Sequence, residues 1–154
     1  MPSIDRHLFV VFGATGDLTR RKLLPALYHL MQLRDVARKC YVLGTARSAW
    51  SDADFRRTAR AALEEHFPEE ALRTWCDRNL FYQPLGEDGQ DYDALKKRIE
   101  ALEAEHDLPG HRVFYLSLPP RAYAPTTEAL GTARDGRGWS SRSPSDTISL
   151  RRAP

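Results

Sequence analysis

A short apolar run, His7-Leu8-Phe9-Val10-Val11-Phe12, stops at Gly13-Ala14-Thr15-Gly16 and gives way to residues at helical spacing. That junction constrains the fold more than any other stretch. The run is rich in β-formers and reads as a strand buried on both faces, as in a parallel sheet. Beyond it, Leu23, Leu24, Leu27, Leu30 and Met31 mark one face of a helix over residues 18–33. Pro25 lies inside that helix and either opens its main part or kinks it. Glycines at such a junction let the backbone turn tightly and approach a pyrophosphate. The helix start then directs free N–H groups and partial positive charge at the phosphates. Gly13 to Leu18 is therefore a candidate dinucleotide turn. Its spacing, GxxGxx, departs from the usual GxGxxG, so a tight turn without a ligand also fits.

The rest of the chain repeats the alternation. Tyr41-Val42-Leu43-Gly44 reads as a second strand, Leu80-Phe81-Tyr82-Gln83 as a third and residues 113–118 as a fourth, stopped by Pro119-Pro120. Ser51 caps a helix over 52–66, with Asp52 and Asp54 in its first turn. Further helices are expected over 69–78, 91–106 and 123–130. Alternating strands and helices indicate an α/β fold, a Rossmann-like doubly wound parallel sheet with right-handed crossovers. NAD-binding folds place an acid at the end of the second strand to bond the ribose 2′-hydroxyl. Here that strand ends in Thr45-Ala46-Arg47-Ser48, with no acid before Asp52. An arginine instead suits the 2′-phosphate of NADP through a charge-assisted contact. A surface loop arginine is the alternative reading of Arg47.

At 154 residues the chain fits one domain, and 42% hydrophobic residues supply a core. A net charge of +2 argues against a dedicated nucleic-acid binder. Lysine occurs only at Lys22, Lys39, Lys96 and Lys97, an arginine bias that hints at a GC-rich bacterial genome. Cys40 and Cys76 stand far apart, without zinc spacing or a disulfide framework, so no metal is expected. The start carries no signal-peptide pattern, and no apolar run reaches the ~18 residues of a bilayer span. A soluble cytoplasmic protein without membrane partners is expected.

Three motifs, VVFGATGDLTRRKLLPALYHL, VLGTARS and RVFYLSLPPRAY, resemble the N-terminal domain of the glucose-6-phosphate 1-dehydrogenase family. They occur in the family's order and cover about residues 7–130. The resemblance implies a Rossmann-like coenzyme domain followed by a larger α+β domain. It also implies oxidation of glucose 6-phosphate at C1 to 6-phosphogluconolactone with reduction of NADP, the entry step of the oxidative pentose phosphate pathway. On the matching positions it implies a pyrophosphate turn from Gly13, Ala14, Thr15, Gly16, Asp17, Leu18, Thr19 and Arg20. Arg47 would hold the adenosine 2′-phosphate. Lys22 would lie near the nicotinamide and substrate, and Tyr123 would contact the cofactor.

After residue 130 the family pattern stops. The family's Glu-Lys-Pro-Phe-Gly motif, its histidine-containing catalytic motif and its sugar-phosphate site are not visible. Residues 131–154 are rich in Arg, Ser, Gly and Pro and read as a disordered tail. Back-translating residues 139–146 with GC-rich codons, and reading one base earlier, yields VVVEKPFG. Continuing in that frame can give HDLASARA. The expectation is thus an NADP-binding domain over 1–130, an out-of-frame tail over 131–154 and an absent substrate domain. None of His7, His29, His66, His106 and His111 sits in the family's catalytic motif, so no catalytic residue is expected here. Glucose 6-phosphate would be a partner only of the intact enzyme, and an uncovered domain interface invites self-association. A free-standing NADP-binding or interaction module is the alternative. An unrelated short-chain oxidoreductase is a third reading.

Overall fold

The computed structural model describes residues 6–32, 39–131 and 149–152. Strands β1 (His7–Phe12), β2 (Cys40–Ala46), β3 (Leu80–Pro84), β4 (His111–Leu116) and β5 (Ser149–Arg152) form one sheet in the order β3-β2-β1-β4-β5. Every neighbouring pair runs parallel. The helices are α1 (Leu24–Met31), α2 (Asp52–Leu63), α3 (Glu69–Asn79), α4 (Tyr92–Glu105) and α5 (Pro120–Gly131). A π-helical turn, Thr19–Leu23, leads into α1. Rossmann-like doubly wound topology is what the alternation predicts.

Burial explains why β1 reads as apolar throughout. Leu8, Val10 and Phe12 pack with Leu95, Ile99 and Leu102 of α4. Val11 faces the other way and packs among Leu24 and Leu27 of α1, Phe55 of α2 and Trp75 of α3. The strand is thus covered on both faces, and side chains alternate between the two layers. Strand order runs outward from β1 to β3 with helices on one face. It then reverses to β4 through α4 on the opposite face, as right-handed crossovers require.

Local chemistry sets the element ends. Pro25 stands in the first turn of α1, directly after the π-helical turn. Its ring crowds the preceding turn, and the chain there widens to π geometry, with the Leu24 N–H donating to Thr19 O. Ser51 caps α2 in a capping box: its hydroxyl accepts from the Asp54 N–H at 3.2 Å, and Asp54 accepts from the Ser51 N–H at 2.9 Å. Those bonds from Ser51 hold the Asp54 carboxyl below its ordinary range. The outer edge of β3 is covered by side chains. Asp52 accepts from the Tyr82 N–H at 2.7 Å, and Arg56 donates to Leu80 O at 2.9 Å. An edge strand blunted this way offers no free ladder to another chain.

Strand β5 lies inside the stretch expected to be unstructured, and that expectation is corrected for its four residues. They pair in register with β4, from Val113↔Ser149 to Leu116↔Arg152. Main-chain hydrogen bonds to an open sheet edge need no side-chain pattern, so periodicity gave no warning. The remainder of that stretch, 132–148 and 153–154, lies outside the described residues. Both cysteines are buried, and burial pushes each thiol up to about 12. They are protonated core side chains.

Candidate functional site

Helices leave β1 and β4 towards opposite faces of the sheet, so a crevice opens beyond the carboxyl ends of these strands. The Gly-rich turn forms its floor. Gly13 adopts φ +83°, a left-handed conformation that favours glycine. A Cβ there would lie 2.0 Å from Ser117 O, at the exit of β4. The N–H groups of Gly13 and Ala14 both donate to Thr45 O, at 2.9 and 3.2 Å. Gly13 O in turn accepts from the Gly16 N–H and the Thr19 hydroxyl, each at 3.0 Å. Three strand exits are thereby tied to one turn.

The turn also explains a glycine within β2. A Cβ on Gly44 would lie 2.7 Å from Ala14 Cβ and 2.8 Å from the Phe55 ring. Without that side chain, Ala14 and α2 close onto the sheet. Thr19 is fully buried and serves the turn rather than a ligand directly. Asp17 pairs with Arg20 and, at 3.9 Å, with Arg21. Lys22 is exposed on the π-helical turn.

A cleft of about 780 Å³ extends from Gly13 and Thr15 across the ends of β1, β2 and β4. That volume suits a dinucleotide-sized ligand, within the roughly 300–1,000 Å³ of ordinary ligand sites. One wall is Thr45 to Ser48 with the loop after β3, including Leu85 and Asp88 to Gln90. The other is Leu118, Pro119 and one face of α5, with Arg121, Pro125 and Thr126. Arg47 stands on the first wall, exposed, and among the described residues it has no carboxylate partner. Its backbone is held on both sides: Ala46 O accepts from the Leu85 N–H at 2.8 Å, and Ser48 O from the Tyr82 hydroxyl at 2.8 Å. Burial pushes that hydroxyl up to about 12, so it stays a donor.

Of the residues singled out in the sequence, Gly13, Thr15 and Arg47 line this cleft. Ala14 and Thr19 shape it from beneath. Gly16, Asp17, Leu18, Arg20 and Lys22 sit beside it on the helix start. Tyr123 falls on α5, and its side chain lies outside the described residues. Sequence reasoning missed Thr45, whose carbonyl anchors the turn, and Arg121, a second cation in the cleft. Arg121 directly follows Pro119-Pro120, and that helix start was the available signal. None of the five histidines lines the cleft. His7 and His111 pair at the opposite ends of β1 and β4, and His106 stacks on Tyr41 at 4.3 Å. Among the described residues no cluster of His, Cys, Asp or Glu could hold a metal ion. No described helix is long and apolar enough to cross a membrane.

Residues 10–142 match the family described as glucose-6-phosphate dehydrogenase, NAD binding domain. The chain belongs to the glucose-6-phosphate dehydrogenase family. The matched span runs past residue 130, where the motifs end. The glucose-6-phosphate 1-dehydrogenase of Aggregatibacter actinomycetemcomitans is 38% identical over 136 residues, covering 84% of this chain and 27% of that protein. The Chlamydia pneumoniae enzyme is 36% identical over 144 residues, covering 86% of this chain and 28% of that protein. A solved structure of a glucose-6-phosphate dehydrogenase in complex with its substrate glucose-6-phosphate superposes with a TM-score of 0.75 at 27% identity. It spans 95% of this chain and 30% of that one. This chain therefore spans about 27–30% of the length of these family members.

Proposed function

We propose that this chain is the coenzyme-binding portion of a glucose-6-phosphate dehydrogenase and takes NADP in the cleft between Arg47 and α5. One observation carries the reading: the Gly13 turn and the guanidinium of Arg47, which meets no carboxylate among the described residues, open into the same cleft, at the switch point of a parallel sheet. The residues fit the group. Gly13 lets β1 turn tightly against Ser117 at the floor of the cleft, and the first turn after Gly16 offers N–H groups to a pyrophosphate. Arg47 supplies a planar cation for the 2′-phosphate, with its backbone already held in place. NADP, when bound, accepts the hydride leaving C1 of the sugar.

The chain's own residues bind and orient the coenzyme. A base must also take the C1 hydroxyl proton, and histidine is the usual choice. No histidine reaches this cleft, so these residues hold NADP without completing sugar oxidation. The domain reading follows: residues 1–130 serve coenzyme binding, and the groups that hold glucose 6-phosphate lie outside the cleft's lining. A cytoplasmic location fits this substrate and coenzyme.

Titration of the chain and its Arg47→Ala variant with NADP and with NAD tests the proposal. A hydrogen-bonded charge contact contributes about 1.5–3 kcal/mol, so NADP affinity should fall roughly ten- to hundredfold. NAD affinity should hardly change, because NAD has no 2′-phosphate. Equal losses for both coenzymes would refute the role given to Arg47.

A further inference from the structure

Gly89 stands in the loop between β3 and α4 at φ +70°. A Cβ on it would lie 2.9 Å from Arg47 Cγ and 3.0 Å from Arg47 Cδ. The aliphatic stem of Arg47 therefore lies directly on the bare backbone of Gly89. We propose that Gly89 is a specificity-determining positioning residue: its missing side chain is the platform that aims the Arg47 guanidinium into the cleft and so sets preference for a 2′-phosphorylated dinucleotide. This rests on the reading that the cleft takes NADP.

The platform is itself built firmly. The Gly89 N–H donates to Gly86 O at 3.0 Å, and Asp88 accepts from the Gln90 N–H at 3.0 Å. The Asp91 N–H closes the loop onto Leu85 O at 2.9 Å, and Asp91 then caps α4 through the Ala94 N–H at 3.2 Å. Leu85 is in turn bonded to Ala46, the residue before Arg47. The loop and the arginine are thus one mechanical unit.

Charge balance makes placement decisive. Arg47 and Arg121 line the cleft, but so do Asp88 and Glu128. Cations and carboxylates offset one another, so the mean field of the cleft is weak for a phosphate. Selectivity then depends on where one guanidinium sits, since a planar fork bonds phosphate only in a narrow range of positions. A side chain at position 89 would push Arg47 off its seat. Asp88 would remain, with oxygens able to accept from the ribose hydroxyls of NAD.

The test compares the unmodified 154-residue chain with Gly89→Ala, Gly86→Ala, Arg47→Ala and the Arg47→Ala/Gly89→Ala pair, each titrated with NADP and with NAD. Gly86 is the control. It shares the positive φ, +79°, but its Cβ would meet only Asp88 and Asp91, at 3.5 and 3.7 Å, and it does not line the cleft. Backbone strain is therefore common to both glycine variants, and the Arg47 contact is not. Gly89→Ala should weaken NADP about tenfold while NAD changes by less than about twofold. Gly86→Ala should keep the NADP-to-NAD ratio of the unmodified chain. The double variant should bind NADP no more weakly than Arg47→Ala alone, since both changes remove one interaction. If Arg47→Ala abolishes the NADP preference but Gly89→Ala keeps it, the platform is refuted and the NADP reading stands. Equal loss of preference in Gly86→Ala and Gly89→Ala also refutes the platform. If the unmodified chain shows no NADP preference, or Arg47→Ala keeps one, the NADP reading falls and the platform with it.

Discussion

Replacing Gly13 by alanine should remove a large part of the chain's stability. Two costs add. A non-glycine residue at φ +83° pays about 1–2 kcal/mol in backbone strain. The new Cβ also overlaps Ser117 O at 2.0 Å, and that oxygen belongs to the main chain. Relief requires the exit of β4 to move away from β1. Such a move breaks the 2.9 Å bond from the Ser117 N–H to Phe12 O. The total should reach about 4 kcal/mol or more, against about 5–15 kcal/mol for a whole domain. Gly16→Ala is the matched comparison. Its φ is not positive, and its Cβ would sit 3.3 Å from Gly13 O, so a shift of a few tenths of an ångström suffices. A cost of about 1 kcal/mol is expected there. Urea unfolding of both variants reads the difference directly. Equal midpoints for Gly13→Ala and Gly16→Ala would contradict the close approach of β1 and β4 at the turn.

Glu103→Gln should be the other large loss, far from the cleft. Arg112 lies in β4 on the α4 side of the sheet and is only 7% exposed. Glu103 of α4 meets it in a fork, with bonds of 2.9 Å from Nε and 2.6 Å from an Nη. Removing the Glu103 charge takes from the buried guanidinium the carboxylate that meets it in this fork. Breaking such a buried pair costs about 3–5 kcal/mol. Replacing both partners with apolar residues, as in Arg112→Met with Glu103→Leu, should recover most of that loss. Thermal unfolding of Arg112→Met, Glu103→Leu and the pair forms the cycle. Additive losses in the pair would show that the two side chains do not act as one unit.

Much of this architecture was legible in the chain. Each strand of the inner sheet announced itself as an apolar run, because the sheet is buried on both faces and polar alternation has nowhere to face. The Gly13 turn was legible because only glycine tolerates both its φ and its contact with Ser117. Arg47 was legible as the residue standing where an acid would otherwise end β2. Other parts were hidden for physical reasons. Gly89 carries no motif, and its meaning appears only when the loop after β3 folds back against β2. Thr45 acts through its carbonyl, which every residue possesses. Strand β5 pairs with β4 through its main chain, which every residue possesses. The π-helical turn before α1 follows from Pro25, whose effect could be anticipated as a kink but not as its particular geometry.

The most direct test of the coenzyme reading is a crystal structure of the chain grown with NADP. The pyrophosphate should lie over Gly13 to Gly16, and the adenosine 2′-phosphate should be held by the Arg47 guanidinium between Gly89 and α5. A dinucleotide seated elsewhere, or one whose 2′-phosphate points away from Arg47, would contradict the account.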